Sequence, residues 1–482
     1  MPTVNWPCST KYTPVMSTAV LVTCMTSWGT SVFNNCKSLT AIRVPEGVTS
    51  VGDNCFKGCA ALAEVQLPST LTNIGAYAFE NCSALPSLVL PTAVSELGKY
   101  LFHNCTALQT VTIQGFIDTL PLSCFYNSGI TETPDLSKVR VVGDSCFLNC
   151  KNLKEAYVPA NVEKLSYNAF SGCTALTTAT VLGETELGTH VFNGCKALTS
   201  FTGNNLPQIN SQCFAGCTSL VSFRIPEATS YIGDNAFKGC TMLSELIFPA
   251  NSQIKGPMAF GQTPFANCSK LDGFTVEEGN TYLSVDPATH GLYGDNGTIC
   301  MVFPYKNYGT TLLPTTKIVG RYAFLSRTAL TSIELPEGLE EIYPNAFSAG
   351  KLTSITLPSS LKKLHEYAFS SCTNLTTLNL NQGLEYIGMG AFSRCTQLTE
   401  LTIPSSVKYI GKSAFSSCNA LETLKLNEGL ETIGESAFEN CQKLTQIILP
   451  STVQELGERS FYNCRKAEKI DCGNVTVIPR QC

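Results

Sequence analysis

Residues Leu421–Cys441, LETLKLNEGLETIGESAFENC, decide the fold. Reduced to its apolar and small positions, the stretch reads L-x-x-L-x-L-x-x-x-L-x-x-I-G-x-x-A-F-x-x-C. Leu398–Cys418, LTELTIPSSVKYIGKSAFSSC, precedes it with the same pattern, and Leu444–Cys464, LTQIILPSTVQELGERSFYNC, follows with it again. A short unit copied in tandem specifies a solenoid, because one unit cannot bury its apolar face alone and stacked units can. Leu424 and Leu426 alternate about Lys425, the period of a short strand with one buried face. Pro404, Asn427 and Pro450 follow the strand at once and end it. Leu430, Ile433 and Gly434 then turn the chain along the opposite wall, where glycine suits a left-handed or tightly packed bend. Phe438 and Cys441 are three apart, so one short helical or 3-10 turn can aim both inward.

Working outward, the repeat Phe recurs from Phe33 to Phe461 in 18 turns, mostly 22 or 23 residues apart. Two intervals are wider: 28 residues from Phe237 to Phe265, and 59 from Phe265 to Phe324. The longer insert carries Asp295-Asn296-Gly297 between apolar runs, a hairpin signal. It is expected to project from the stack at about 277–312. The smaller insert is Ile254–Thr263.

The recurring I-G-x-x-A-F-x-x-C-x-x-L signature resembles the leucine-rich repeats of the BspA-like family, found in surface proteins of bacteria and protozoa. The resemblance implies an α/β repeat: a leucine-rich-repeat solenoid with a parallel β-sheet on one face, short β/3-10 segments on the other, and an inserted β-hairpin island whose first strand continues the solenoid sheet. It also implies adhesion or protein binding at a surface. The expected organisation is an N-terminal cap or partial repeat at 1–32 and an N-terminal array at 33–270. The island at 271–313 and a C-terminal array at 314–482, ending in a partial repeat, complete it.

The 24 cysteines look like a secreted disulfide framework until they are placed on the repeat. Fifteen stand three residues after a repeat Phe, and Cys55, Cys124, Cys146 and Cys213 stand just before one. Ser128, Arg327 and Gly350 fill the post-Phe slot in three turns, so no covalent partner is required there. Reduced thiols packed as small hydrophobes are the expectation. The net charge of −5 and the absence of like-charge runs give no indication of nucleic acid. No segment is long and apolar enough to span a membrane. The patch Val15–Met25 lacks a basic n-region and a small-x-small cleavage site, and reads as a first turn or cap. The chain stops one residue short of the next repeat Phe without a polar cap, which leaves truncation and a degenerate cap both open. Surface or secreted localisation follows from the resemblance, cytoplasmic localisation from the leader and thiol readings; neither is decided.

Motifs for chemistry dissolve into the repeat. The histidines His103, His190, His290 and His365 lie in different turns and read as solitary surface residues. The C-x-x-x-C pairs at Cys55/Cys59, Cys146/Cys150 and Cys213/Cys217 each straddle a repeat Phe, so they are two repeat slots rather than a metal or redox site. Asp286 and Asp295 read as hairpin-tip residues rather than calcium ligands. The sequons at Asn81, Asn104 and Asn267 coincide with a repeat position. No catalytic residue, cofactor or metal is expected, and the enzyme class is set aside.

What remains is the outer strand face, which includes Arg43, Gln66, Val89, Thr112, Tyr157, Thr180, Thr202 and Arg224. Tyr and Arg dominate interface anchors. The candidate partner-binding residues are therefore Arg43, Tyr157 and Arg224, with the island's Tyr282, Tyr293, Tyr305 and Tyr308. The partner is expected to be a protein, with a glycan as the alternative. An intracellular scaffold, assembled through open solenoid ends, is the competing function.

Overall fold

The structure, a computed structural model, describes residues 26–304, 311–475 and 478–480. It divides into two compact units. One runs up to Ser244 and takes in Pro264–Lys270; the other comprises Glu245–Thr263 and Leu271 onward.

Most coils contribute a longer strand and a two-residue strand; each kind pairs in parallel with its own kind, the longer strands in groups of two or three. In the first unit, Glu155–Val158, Thr178–Val181 and Ser200–Gly203 form one ladder of longer strands. Ser87–Leu90 pairs likewise with Thr110–Ile113. The two-residue strands Ser27–Trp28, Ser50–Val51, Asn73–Ile74 and Glu96–Leu97 run in chain order along the other wall. Alternation sets the faces: Leu88, Leu90, Val111 and Ile113 are buried, and the residues between them are exposed.

Among the described residues there is no helix, so the α/β label is too broad and the fold is a β-solenoid. The expected helical or 3-10 turn around Phe438 is replaced by something else. Ser436 and Asn440, two residues either side of Phe438, have φ of 56° and 63°. Left-handed residues cannot continue a right-handed helix. They make successive N–H groups alternate in direction. Ser436, Phe438 and Asn440 donate to Glu458, Ser460 and Tyr462 of the next coil, at 2.7–2.9 Å. Ala437, Glu439 and Cys441 donate back within their own turn, at 3.1–3.2 Å. The arrangement recurs around Phe56 and Phe79, with left-handed Asn54, Gly58, Tyr77 and Asn81. Asn and Gly prevail two residues after the Phe because they tolerate this conformation best.

The interior is a set of self-stacked columns. Phe392, Phe415, Phe438 and Phe461 lie 5.2–5.3 Å apart with ring planes within 8° of parallel. Phe125, Phe147, Phe170 and Phe192 do the same in the first unit, at 4.9–5.6 Å. The glycine after Ile or Leu answers to closeness rather than to backbone sign: a Cβ on Gly434 would lie 2.7 Å from the Lys412 nitrogen, and one on Gly98 only 2.1 Å from that of Ala76.

The island's first strand, Thr275–Val276, continues the long-strand sheet by pairing in parallel with Glu245–Phe248. Its last strand, Ile299–Val302, joins the sheet of the other wall by pairing in parallel with Ile318–Val319, with Leu283–Val285 at the outer edge. The island differs from expectation in that it does not project as a free hairpin. Leu292–Gly294 and Ile299–Val302 are buried throughout, and Tyr293, Cys300 and Phe303 belong to the second unit's core. Phe303 tilts against Phe324 at 4.6 Å and so fills the repeat-Phe place across the wide interval. The turn falls where the sequence puts it, with Asp295, Asn296 and Gly297 all at positive φ.

Phe392→Ala is expected to cost about 3–5 kcal/mol, since it opens a cavity and removes two ring contacts. Leu424→Asp buries an unpaired charge and should cost several kcal/mol. Urea melts monitored by circular dichroism check both, and wild-type stability in either would refute the register.

Candidate functional site

The residues with chemical potential fall into an interior set and an exterior set. The interior set is the cysteine column. Cys82 Sγ donates to the Phe56 carbonyl at 3.2 Å, one coil back, and Cys105 Sγ to that of Phe79 at 3.0 Å. The same bond recurs from Cys150 to Phe125, from Cys240 to Phe214, and from Cys441 to Phe415. Each of these Phe carbonyls thus receives two donors: the backbone N–H three residues on, as from Cys59 to Phe56 at 3.1 Å, and the thiol of the next coil. Arg327, which replaces cysteine in its turn, sends its guanidinium to the Phe303 carbonyl at 2.8 Å. The slot therefore takes either a thiol or a guanidinium as donor, which spacing alone did not reveal, while Gly350 leaves it without a side-chain donor.

Burial pushes Cys105, Cys150 and Cys418 up from about 9 to about 12, because a thiolate there would lose its hydration. Only the thiolate is a nucleophile or metal ligand, so these three are chemically inert at neutral pH. Cys240 shifts the other way, because the thiols of Cys217 and Cys268 hydrogen-bond to it. Among the described residues no group of three or more His, Cys, Asp or Glu side chains could hold a metal ion.

Two histidines are not solitary. His103 Nδ1 lies 3.1 Å from Glu80, which also holds Lys57 at 2.7 Å, and His365 Nε2 lies 2.8 Å from Glu341. The signal was an acid about one repeat earlier in sequence. Asn81 and Asn104, in two of the sequons, belong to a side-chain ladder: Asn104 Nδ2 donates to Asn81 Oδ1 at 3.0 Å, and Asn127 to Asn104 at 2.8 Å.

The exterior set is the long-strand face. Arg43 stands opposite Gln66, Val89 opposite Thr112, and Tyr157 opposite Thr180 and then Thr202. Val89 and Tyr157 are each 50% exposed. Arg43 is exposed, and Arg224 pairs with Glu227 at 3.3 Å. The island tyrosines fare differently. Tyr293 is fully buried and must be removed from the surface candidates, since its strand lies inside the second unit's core. Tyr282 is half-buried, and its hydroxyl accepts the Gly256 N–H at 2.8 Å, which braces the smaller insert. Tyr305 and Tyr308 lie outside the described residues. A cavity of about 220 Å³ opens on the first unit's face, lined by Thr110–Ile113 and Glu132–Asp135.

Comparison with known families matches the description "BspA type Leucine rich repeat region (6 copies)" at residues 26–154, 85–199, 185–286, 302–422 and 409–482. The chain belongs to the BspA-type leucine-rich-repeat family. Among solved structures this BspA-type chain is similar to a leucine-rich repeat protein of Eubacterium ventriosum, with 23% identity, 68% of this chain and 85% of that one covered, and a TM-score of 0.52. One from Bacteroides ovatus matches at 20% identity, with 92% and 81% covered and a TM-score of 0.39. A leucine rich cell surface protein of Faecalibacterium prausnitzii matches at 24%, with 52% and 83% covered and a TM-score of 0.31. No curated protein matches the sequence. Leucine-rich-repeat proteins are generally protein-binding or surface modules and typically not enzymes. No helix among the described residues of this BspA-type chain is long and apolar enough to cross a membrane.

The thiol column yields a pH prediction. Cys105, Cys150 and Cys418 hold their protons more tightly in the folded chain, so their contribution is complete below about 9. Between about 9 and about 12 the unfolded chain loses protons that the folded chain keeps. Stability should fall with rising pH there, by about 1.4 kcal/mol per pH unit per thiol. Thermal midpoints from about pH 8 to about pH 10.5 should drop steeply, and less so in a Cys105→Ala, Cys418→Ala variant. A flat wild-type profile would contradict the burial of neutral thiols.

Proposed function

We propose that the protein is a non-catalytic recognition module that binds a protein partner on the long-strand face of its first unit, with Arg43, Tyr157 and Arg224 as anchors. The observation that carries the reading is the register: side chains from successive coils line up in rows across an open face, with half-exposed Tyr157 and Val89 among short threonines. Anchors of large contact area, set among small neighbours that pack without competing, are the pattern of interface hot spots. A repeat array offers such a face over many coils. The mixture of aliphatic, aromatic and guanidinium groups suits a protein better than a glycan.

A second reading, a scaffold kept in a reducing compartment, draws support from the thiol column, which needs S–H donors to the Phe carbonyls. Thiol titration of the unfolded protein taken directly from its native source separates the two: bridged cysteines would remove the scaffold.

Tyr157→Ala combined with Arg224→Ala should weaken capture of the partner by about 2 kcal/mol or more, roughly 30-fold, with an unchanged melting curve. Affinity capture with wild-type and variant protein measures it. Undiminished capture would remove these anchors.

A further inference from the structure

The long-strand ladder of the first unit is interrupted in several places, and at the interruption after Thr110–Ile113 the chemistry specifies what fits. Thr110–Ile113 pairs on one side with Ser87–Leu90, but among the described residues no strand covers its other side. Thr131 still donates to Gln109 at 3.2 Å, and the chain then leans away. Glu132 bridges to Glu155 of the following coil. Thr133 Oγ1 donates to the Tyr157 carbonyl at 3.4 Å and lies 3.3 Å from the Tyr157 N–H.

Counted from the Glu132–Glu155 bridge, Pro134 stands level with Tyr157, but Pro134 is buried where Tyr157 is exposed, so the chain here departs from the alternation of the face. One coil back, Leu90, opposite Ile113, receives the N–H of the next residue, Gln114, at 3.1 Å. The same step for Val111 leads to Pro134, which has no N–H. No backbone hydrogen bond joins Val111 or Ile113 to 132–135 among the described residues. The edge therefore presents main-chain donors and acceptors at strand spacing to the 220 Å³ cavity. That volume is below the ~300–1,000 Å³ of small-molecule sites, which argues against an enclosed small ligand, and it is the open strand edge that suits a length of chain.

Charge gives the occupant's character. Glu132, Asp135 and Glu155 are exposed around the break, and no ion pair engages any of them among the described residues.

We propose that this break is a docking slot for an extended basic segment of a partner protein, which adds as a short strand to the edge of Thr110–Ile113 and places lysine or arginine against Glu132 and Asp135. The mode is β-augmentation: main-chain bonds hold the segment, and the carboxylates select its side chains. It rests on the reading that the long-strand face is the recognition surface, and gives that face a partner chemistry.

The test uses full-length protein with two capped peptides, acetyl-Lys-Val-Thr-Val-Lys-amide and its Glu-ended counterpart, read by hydrogen–deuterium exchange over residues 109–116 and by titration calorimetry. The basic peptide should bind at least tenfold tighter than the acidic one and protect 109–116. Pro134→Thr, which restores the missing N–H, should protect 109–116 without peptide and reduce binding at least tenfold. Glu132→Lys, on an exposed side chain, should reduce binding by a similar factor with an unchanged melting curve. Unprotected 109–116, equal binding of the two peptides, or undiminished binding to both variants overturns the slot. If the slot fails while Tyr157→Ala with Arg224→Ala still impairs partner capture, the face reading stands. If the peptide binds and those variants have no effect, the anchor assignment falls instead.

Discussion

Every interior side chain lies about one strand spacing, ~4.8 Å, from its own counterpart in the next coil. The rest of the structure follows from that constraint. A ring at a repeat position must stack on an identical ring, so the Phe column runs nearly parallel at 5.2–5.3 Å through Phe392, Phe415, Phe438 and Phe461. A side chain at the Gly434 position would collide with the backbone of the preceding coil, so glycine is favoured where approach is tightest. Where a polar group must be stacked, it has to bond to its own kind, as Asn127, Asn104 and Asn81 do.

The cysteines obey the same rule with a chemical refinement. A carbonyl buried beside a Phe column has two lone pairs, and the N–H three residues on uses one. A donor small enough to stack at strand spacing, and apolar enough to be buried, serves the other. Thiol meets both conditions. Arg327 reaches the Phe303 carbonyl from a half-buried position instead, so a guanidinium can take the thiol's place, and Gly350 does without a side-chain donor. The column thus absorbs most of the described cysteines as structure, and burial keeps the protons of Cys105, Cys150 and Cys418 in place.

Legibility in the sequence follows the same division. Strand, buried row and hairpin turn were readable because they depend on residues near in sequence: the alternation at Leu424–Leu426, the Asp295-Asn296-Gly297 turn. The left-handed backbone at Ser436 and Asn440 was not readable, because a spacing of three between Phe438 and Cys441 fits a 3-10 turn equally well. What decides is where the N–H groups go, and they go to another coil. The same is true of the thiol–carbonyl bonds, of Glu80 beneath His103, and of the burial of Tyr293. Each depends on what lies a coil away. On the exterior, the register of Arg43, Tyr157 and Arg224 was readable, but the break at Pro134 was not singled out.

A solenoid built this way leaves little freedom for function inside it. Any interior group that departs from the column loses its stacked partner, so chemistry that needs a distinctive constellation would cost stability at every neighbouring coil. The outer row is under no such restriction, because its side chains face solvent whatever they are. Nor is a coil whose strand residue cannot take part in the ladder. Pro134 is buried and removes one donor, and Thr133 turns to Tyr157 instead. The repeat explains the core because the repeat is the core. Recognition has to be sought in what varies along the outer face, and most of all where variation reaches the main chain, since main-chain groups left without partners call for a ligand or for water in a way that an exposed side chain does not.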